Sequence, residues 1–479
     1  MNLSVLSSRF HPRGAALAAA LLLGACAVGP DYKRPSADAP PVYKEAPTAG
    51  ATWYPAAPAD ALDRGEWWTL FNDDDLSALV RQVEVSNQNV AAAVAAYAQA
   101  RAFVREQRAG LVPSVGLSGG VDRSGGLGAA TTAGNRFQLG VDASWTPDVW
   151  GRLGRAIEGA QASAQASAGD LAAARLSAQG QLATDYFALR DADAEIALLR
   201  TTVEAYERAL KITSNRYNAG IAAKTDVLQA QTQLDSTRAD LATLQGQRAQ
   251  LEHAIAVLHG KAPGDFTLRV VPWKVNVPTV PLGVPSELLQ RRPDIAAAER
   301  RVAAANAQIG VQASAYYPSL TLSASLGGAA TTAGQLFRAS NALWSLGLSV
   351  AQTLFDAGAT SARVEAAEAA RDQAVAQYRQ TVLVAFQSVE DQLAQTRALA
   401  EQASLRLQAS QAADLTEQQL LNRYAQGQVA YTDVVTAQAT ALSARRTLAL
   451  LVSNRQASAI ALIQALGGGW QAGGSPAAR

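Results

Sequence analysis

The sequence predicts a mostly helical chain that also carries four membrane-type β-strands, arranged as two internal structural repeats. Three observations lead to this fold class. The same short motifs occur twice in the same order, two stretches of more than 60 residues lack proline, and four short segments alternate apolar and polar side chains.

Motifs of the first half of the chain recur roughly 200 positions later in the second half, and their order is the same. A single match could be chance, but a collinear set indicates two copies of one structural unit. The matched pairs are Asn89 to Ala93 with Asp294 to Ala298, Pro113 to Ser118 with Pro318 to Ser323, the identical heptapeptides Gly128 to Gly134 and Gly328 to Gly334, and Arg216-Tyr217-x-x-Gly220 with Arg423-Tyr424-x-x-Gly427.

Each repeat is expected to run helix, strand, loop, strand, very long helix, turn and helix. Repeat 1 (residues 73–260) has its strands at about 112–122 and 136–147 and its later helices at about 151–214 and 224–259. Repeat 2 (residues 294–466) has its strands at about 318–328 and 342–354 and its later helices at about 359–424 and 432–466. A proline-rich crossover (261–293) joins the repeats, and a flexible C-terminal tail (467–479) follows them.

The four alternating segments place apolar side chains on one face and small, mostly uncharged side chains on the other. A soluble sandwich also alternates, but four strands in two separated hairpins make a poor sandwich. The polar face suits a lumen lined by Ser, Thr and Gly, so membrane strands are favoured. No stretch of the sequence reaches the length of a transmembrane helix, so a membrane-spanning form would have to be a β-barrel.

Four strands are too few to close a membrane barrel, because the smallest known barrels have about eight. The chain must therefore oligomerise if it spans the membrane. Two chains would supply eight strands and three would supply twelve, and the larger barrel is the one that can hold an open lumen.

The N-terminus predicts export and lipid attachment. Residues 1–25 combine Arg9 and Arg13 with an apolar run that is too short for a transmembrane helix, as in a secretory signal peptide. The run ends in Leu23-Gly24-Ala25-Cys26, which resembles a lipobox, so Cys26 is expected to be the acylated first residue of the mature chain. The alternative is an ordinary signal peptide with a chance cysteine. Residue 27 is not aspartate, which favours sorting to the outer membrane.

The two proline-free stretches predict helices of roughly 90 Å, which is longer than globular proteins use. Their apolar residues recur at intervals of four and three, as in Leu182, Tyr186, Leu189 and Ile196, and this spacing predicts a coiled coil or helical barrel. An ordinary cytoplasmic coiled coil would show the same spacing, but the export signal argues against it.

Composition excludes several classes of function. The net charge is +1, with 41 basic and 40 acidic residues, so a nucleic-acid partner is not expected. One cysteine and three histidines exclude a disulfide framework within the chain and argue against a Cys/His metal site. The sequence shows no Ser-His-Asp arrangement, phosphate-binding glycine loop or HExxH motif, so no enzyme activity is expected. No cofactor is expected either. The one covalent modification expected is a diacylglycerol and an N-acyl chain on Cys26.

Specific motifs are spread over nearly the whole mature chain: Cys26-x-Val28-Gly29-Pro30-Asp31-Tyr32, Trp67-Trp68-x-Leu70-Phe71, Arg291-Arg292-Pro293-Asp294-Ile295 and the two Tyr-x-x-Gly segments. With these motifs the sequence resembles the TolC-like outer-membrane efflux factors, and within them the lipoprotein branch of OprM/NodT type. The resemblance implies a homotrimer whose twelve-stranded barrel in outer-membrane lipid continues as a long periplasmic α-helical barrel. It also implies an equatorial belt that includes segment 26–72 and the crossover, a periplasmic adaptor (membrane fusion) protein and an inner-membrane RND pump.

The resemblance also places a gate where the long helices turn, far from the membrane. Asp433 is followed by Thr436 where many family members carry a second acid, so a second acidic ring is not expected. The alternative is that Thr225 with Asp226, and Thr432 with Asp433, cap the next helix. The candidate gate residues are Tyr217, Asp226, Tyr424, Asp433 and Thr436, with Gly220 and Gly427 as the hairpin-tip glycines.

The function expected from this resemblance is a passive exit duct for drugs or other small molecules, energised by the inner-membrane pump. Two alternatives remain open from the sequence: a duct for type I protein secretion, and a surface-anchored stalk or adhesin. One methionine and three histidines give no support to a soft-metal lining, so the sequence does not choose a substrate.

Overall fold

The computed structural model describes residues 28–37, 39–45, 65–125, 133–278, 280 and 291–468. Within these ranges the chain forms seven α-helices and four β-strands. The helices are α1 (Asp74–Ser86), α2 (Gln88–Ala109), α3 (Arg152–Asn218), α4 (Lys224–Leu258), α5 (Pro293–Ala313), α6 (Ala359–Ala425) and α7 (Tyr431–Ala465). The strands are β1 (Ser114–Ser124), β2 (Gly134–Trp145), β3 (Ser319–Ala330) and β4 (Ala342–Ala351).

The expected signal peptide, Cys26 and most of the first heptapeptide lie outside the described residues. No helix in the described part of the chain is both long enough and apolar enough to cross a membrane.

The repeat is visible in the helix lengths. Helices α3 and α6 have 67 residues each, and α4 and α7 have 35 each. At about 1.5 Å per residue the longer pair spans roughly 100 Å. Both long helices begin after an aspartate that accepts backbone N–H groups of the first turn. Asp148 accepts from Leu153 at 2.9 Å, and Asp356 accepts from Thr360 at 2.7 Å.

The structure corrects four expectations about the elements. The first helical region is two helices, because the backbone of Asn87 is extended and ends α1. The Asn87 side chain then caps α2 by accepting a hydrogen bond from the Val90 N–H at 3.1 Å. Strand β4 ends at Ala351 rather than near 354. The crossover holds a short 3-10 turn at Pro263–Asp265, and α5 already begins at Pro293. Strand β3 continues to Ala330, two residues beyond its expected end at about 328.

The chain divides into two compact units. We call the described residues of Met1–Ser36, Ala96–Ala168 and Ala297–Arg379 the strand unit. Those of Ala37–Ala95, Gly169–Ala296 and Gln380–Arg479 form the tip unit, which holds both helix-to-helix turns.

The strand unit carries one antiparallel sheet in the order β1-β2-β3-β4. The two hairpins, which are far apart in the sequence, are joined because β2 pairs with β3 from Phe137 opposite Ala330 to Trp145 opposite Leu322. Strands β1 and β4 are left as the two edges. Each edge presents unpaired backbone N–H and C=O groups, which is the geometry that accepts a further strand.

The two faces of the sheet differ in chemistry. One face is apolar and exposed: Leu117 is 76 %, Trp344 78 % and Leu348 63 % accessible. The other face is polar, with Ser118 donating to Asp142 at 2.5 Å and the hydroxyls of Ser325 and Ser345 2.8 Å apart. A large exposed apolar surface of this kind marks contact with membrane or with another protein.

The tip unit is held partly by buried charges. Arg190 is 2 % accessible; it pairs with Asp193 at 3.3 Å and donates to the carbonyl of Arg269 at 2.8 Å. Arg248 also pairs with Asp193, at 2.8 Å, and donates to the carbonyl of Leu268 at 2.7 Å. This network fixes the first part of the crossover segment against α3 and α4.

Candidate functional site

The helix tips consist of two turns with the same backbone geometry. Gly220 has φ +72° and Gly427 has φ +77°, and each N–H donates to the carbonyl of the preceding tyrosine at 2.9 Å. A Cβ at either position would meet no atom within 4 Å, so glycine is needed there for its backbone conformation and not for space.

The helices that leave the turns are not capped as the sequence suggested. Their N-caps are Ala223 and Ala430, and neither makes a side-chain capping bond. The alternative in which Thr225 with Asp226, or Thr432 with Asp433, caps the helix is therefore wrong. Both aspartates lie inside the first turn, where a negative charge is stabilised by the helix dipole.

Tyr424 is buried in the tip unit instead of standing on its surface. It is 9 % accessible, and the Arg216 guanidinium lies 4.6 Å from its ring centre. Arg216 also donates to the Tyr424 carbonyl at 3.1 Å. In the described residues, the Tyr424 hydroxyl and the Arg216 Nε are buried without a hydrogen-bond partner. Within one chain Tyr424 therefore packs the helix tip, and its role in a gate stays a prediction.

Tyr431 completes this aromatic cluster. Its ring lies 5.1 Å from that of Tyr424, and both pack with Ala230 and Val434. Burial raises the pKa of Tyr431 to about 12, and Asp226 adds to that rise. The Tyr431 phenol therefore stays neutral, and it packs in a mainly apolar cluster.

The other predicted gate residues lie at the surface. Tyr217 is 42 % accessible, Asp433 and Thr436 are exposed, and Asp226 is half-buried. The Thr436 hydroxyl donates to the carbonyl of Thr432 in its own helix at 2.9 Å. Sequence reasoning did not select Arg216 or Tyr431 as site residues. The signal for Arg216 was present, because arginine precedes tyrosine in both motif copies.

The described chain begins two residues after the expected lipid-attachment site. Val28 N–H donates to the carbonyl of Trp150 at 3.1 Å, and the Trp150 ring nitrogen donates to the carbonyl of Pro318 at 2.7 Å. Arg155 pairs with Asp31 at 2.8 Å. We call Val28 to Asp31 with these contacts the N-terminal clasp; it holds residue 28 beside the start of β3.

Gly29 and Gly310 allow this close approach. A Cβ on Gly29 would lie 3.0 Å from the Gly310 nitrogen, and a Cβ on Gly310 would lie 2.7 Å from the Val28 carbonyl oxygen. Neither side chain could be added without displacing backbone.

The chain is similar to known proteins over most of its length. A model of the family described as outer membrane efflux protein matches residues 79–261 and 284–468, one match per repeat. The cation efflux system protein CusC of Escherichia coli O6:H1 is 30 % identical over 455 residues, 94 % of this chain and 97 % of the relative. The pyoverdine export outer membrane protein OpmQ of Pseudomonas aeruginosa is 30 % identical over 470 residues, 95 % of this chain and 96 % of the relative.

A solved structure is also similar over nearly the full length. The outer-membrane channel OprN has a TM-score of 0.82 at 30 % identity, covering 93 % of this chain and 100 % of the other.

Proposed function

Because the chain belongs to the outer membrane efflux protein family, we propose that it is the outer-membrane exit duct of a tripartite efflux pump. An inner-membrane RND transporter supplies the energy, and a periplasmic adaptor links the two proteins. The observation that carries the proposal is the sheet of the strand unit, which has an exposed apolar face, a polar face and two free edges. A duct needs all three features in each chain that contributes to it.

The relatives favour efflux over type I secretion, since both relatives and the channel named above are efflux, export or channel proteins. They do not select a substrate. A cation efflux protein and a pyoverdine exporter are each 30 % identical to this chain. The proposed cargo is therefore stated only as drugs or other small molecules delivered by the pump.

Closure requires further copies of the chain, because β1 and β4 are open edges. We propose a homotrimer with twelve strands. The junction between β2 and β3 joins repeat 1 to repeat 2, and its copy between chains would join β4 of one chain to β1 of the next. The register follows from the repeat: Val141 stands opposite Leu326, so their counterparts Leu348 and Val121 are expected to face each other.

This register keeps apolar side chains together. Leu348 and Val121 are both exposed on the apolar face, at 63 % and 68 % accessible. A slip by one residue would place Leu348 opposite Asp122, on the other face.

We further propose that Cys26 carries the lipid anchor. Only one residue lies between it and Val28, so its Cα lies within about 8 Å of the Val28 Cα. The clasp thus supports an anchor beside the first residues of β3, where the aromatic rings of Trp150 and Tyr317 stack 4.9 Å apart. Aromatic residues of this type favour the membrane interface.

Cysteine pairs test the duct and its stoichiometry together. Leu348→Cys with Val121→Cys should cross-link between chains and give a ladder that ends at three chains on a non-reducing gel. Leu348→Cys with Asp122→Cys is the matched control and should stay at one chain. Planar bilayers containing the uncross-linked protein should conduct. A ladder ending at two chains would replace the trimer with a dimer, and absence of conductance with no ladder would reject the duct.

A further inference from the structure

A cavity of about 280 Å³ lies in the strand unit, where the sheet meets the helices. It opens between the start of α3, the end of α5, the first residues of β3 and the last residue of β4. Its lining is mixed. Trp150, Leu153 and Val311 supply apolar surface, and Arg152 and Ser314 supply polar groups. A ligand that fits this cavity therefore has apolar parts and also hydrogen-bond acceptors.

Arg152 is the polar group of the lining that lacks a partner. It is the first residue of α3 and is exposed. Among the described residues its guanidinium makes no hydrogen bond and no ion pair. Asp148 also lines the cavity, but its carboxylate accepts the backbone N–H groups of Leu153 and Gly154 at 2.9 and 2.7 Å. The cavity thus contains a charged donor that is available to an acceptor on a ligand.

The N-terminal clasp runs along α5 toward this cavity. The Pro30 carbonyl accepts a hydrogen bond from Asn306 at 2.8 Å. Four residues further along α5, a Cβ on Gly310 would lie 2.7 Å from the Val28 carbonyl oxygen. Two residues of the clasp therefore follow four residues of the helix, in agreement with lengths of about 7 Å for two extended residues and about 6 Å for four helical ones. Val28 also donates to the carbonyl of Trp150, which lines the cavity.

We propose that this cavity binds the thioether-linked glycerol diester of lipidated Cys26. The inference rests on the lipid anchor that is part of the proposed function. Cys26 is two residues before Val28, so the same spacing carries the chain one more turn along α5, to Ser314. Ser314 lines the cavity. The cysteine sulfur therefore reaches the cavity without a change in the course of the segment.

The size of the cavity fits the polar part of this lipid and not a whole acyl chain. At roughly 30 Å³ for each group of water size, the cavity holds about nine groups, close to the about ten heavy atoms of a thioether, a glycerol backbone and two esters. The ester carbonyls are acceptors for Arg152, whereas an acyl chain has none. Leu320, on the apolar face of the sheet, also lines the cavity, so the acyl chains leave along that face.

The depth of the cavity agrees with this ligand. Trp150 and Tyr317, whose rings stack 4.9 Å apart, both line it. Aromatic residues of this type favour the headgroup level of a bilayer, which is also where the surrounding lipids have their esters. The bound diester therefore continues the ester layer of the membrane.

Photo-cross-linking tests the binding site. Ala315 is an exposed residue of the cavity lining, and Gln308 is an exposed residue on the side of α5 that faces away from Gly310. The photoreactive residue p-benzoyl-L-phenylalanine, placed at Ala315 of the full-length protein in outer membranes, should join the lipidated N-terminal peptide under ultraviolet light. Mass spectrometry identifies the product. The same photoreactive residue at Gln308 is the matched control and should not join that peptide.

Ester accessibility tests the role of Arg152. In detergent, a lipase should release the ester-linked chains of Arg152→Gln about tenfold faster than those of the folded wild type, because the variant loses a hydrogen bond from a charged donor. The amide-linked chain resists the lipase and serves as the internal standard. Arg363→Gln, at an exposed arginine of α6, should release its ester-linked chains at the wild-type rate.

The outcomes separate the binding site from the anchor. The intact mass of the N-terminal peptide shows whether Cys26 carries the lipid, and an unmodified cysteine rejects the anchor and the binding site with it. A lipidated peptide that is not joined at Ala315, or is joined equally at Gln308, overturns the binding site while the anchor stands. A free phospholipid joined at Ala315 in place of the peptide overturns it too, since bilayer lipid then fills the cavity. Equal lipase rates for Arg152→Gln and the wild type also contradict it.

Discussion

Arg216 holds Tyr424 from two directions, with its guanidinium 4.6 Å from the ring centre and a hydrogen bond of 3.1 Å to the carbonyl. The two residues are about 200 positions apart in the sequence and belong to different repeats. This contact ties the end of α3 to the end of α6. It makes the turn region of the chain one packed unit.

Tyr424→Phe and Tyr424→Ala should have opposite effects. The phenol oxygen is buried without a partner among the described residues, so phenylalanine keeps the ring contacts and leaves stability unchanged or raises it by up to about 1 kcal/mol. Alanine removes the ring and should cost about 3–5 kcal/mol. Thermal denaturation measures both.

The same pair of variants tests the gate. Tyr424→Ala, alone or with Asp433→Ala, should raise single-channel conductance, and Tyr424→Phe should not. Equal conductance of the double alanine variant and the wild type would remove both residues from the gate.

Much of this architecture could be predicted because it depends on local pattern. The proline-free stretches gave long helices near 151–214 and 359–424, and the structure has them at Arg152–Asn218 and Ala359–Ala425. Alternation predicted the strands because one face of the sheet is mainly apolar. The pairing of β2 with β3 could not be predicted from the sequence, because these strands are far apart in the chain and no hairpin turn connects them.

The helix tips show a second limit of prediction from sequence. Both copies of Arg-Tyr-x-x-Gly fold into the same turn, yet Tyr424 is buried and Tyr217 is exposed. The motif determines the backbone conformation of its own turn but not which residues of the other repeat pack against it. Here those packing residues decide whether the tyrosine of the motif is buried. The capping alternative failed for a related reason: alanine occupies the N-cap, and the aspartates stand three positions later.

Alanine at Gly220 or Gly427 should destabilise the turns, because each glycine has a positive φ that costs a side-chain residue about 1 kcal/mol. Space is not the cause, as no atom lies within 4 Å of the added Cβ. Gly246→Ala is the matched control: it lies within α4, also in open space, and should gain about 0.5–1 kcal/mol. Chemical denaturation of the three variants would show opposite signs, and a loss at Gly246 would contradict this account.

Alanine at Gly310 should loosen the N-terminal clasp. Its Cβ would lie 2.7 Å from the Val28 carbonyl oxygen and 2.8 Å from Arg155 Cγ, and the backbone atom cannot yield without moving the segment. A cost of about 1–3 kcal/mol is expected, with faster proteolysis between residues 28 and 36. Gly159→Ala, whose nearest contact would be an ordinary 3.5 Å, should resist proteolysis like the wild type.

Asp193→Asn should release the crossover from α3 and α4. Asp193 is 6 % accessible and neutralises both Arg190 and Arg248, so its loss leaves buried positive charge at a cost of about 3–5 kcal/mol. Hydrogen exchange should rise first around Leu268 and Arg269, whose carbonyls those arginines hold. Asp235→Asn, at an exposed ion pair, should change stability by less than about 1 kcal/mol.

Asp191 should make the stability of the tip unit depend on pH. Burial raises the pKa of Asp191 to about 6, and the charge of Glu195 adds to that rise. In the unfolded chain an aspartate has a pKa of about 3.9, so the folded state binds more protons between these values. Stability therefore falls as the pH rises from about 4 to 6, and the full penalty remains above that range.

Asp191→Asn removes this penalty, since the amide is neutral at every pH. Its melting temperature should exceed that of the wild type at about pH 7.5, and the difference should shrink toward zero near pH 4, where the wild-type carboxyl is protonated in the folded chain. Glu195 keeps its ion pair with Arg446 in both proteins, so that contact does not contribute to the difference. A gap in melting temperature that is constant from about pH 4 to 7.5 would show that the buried charge is not its cause.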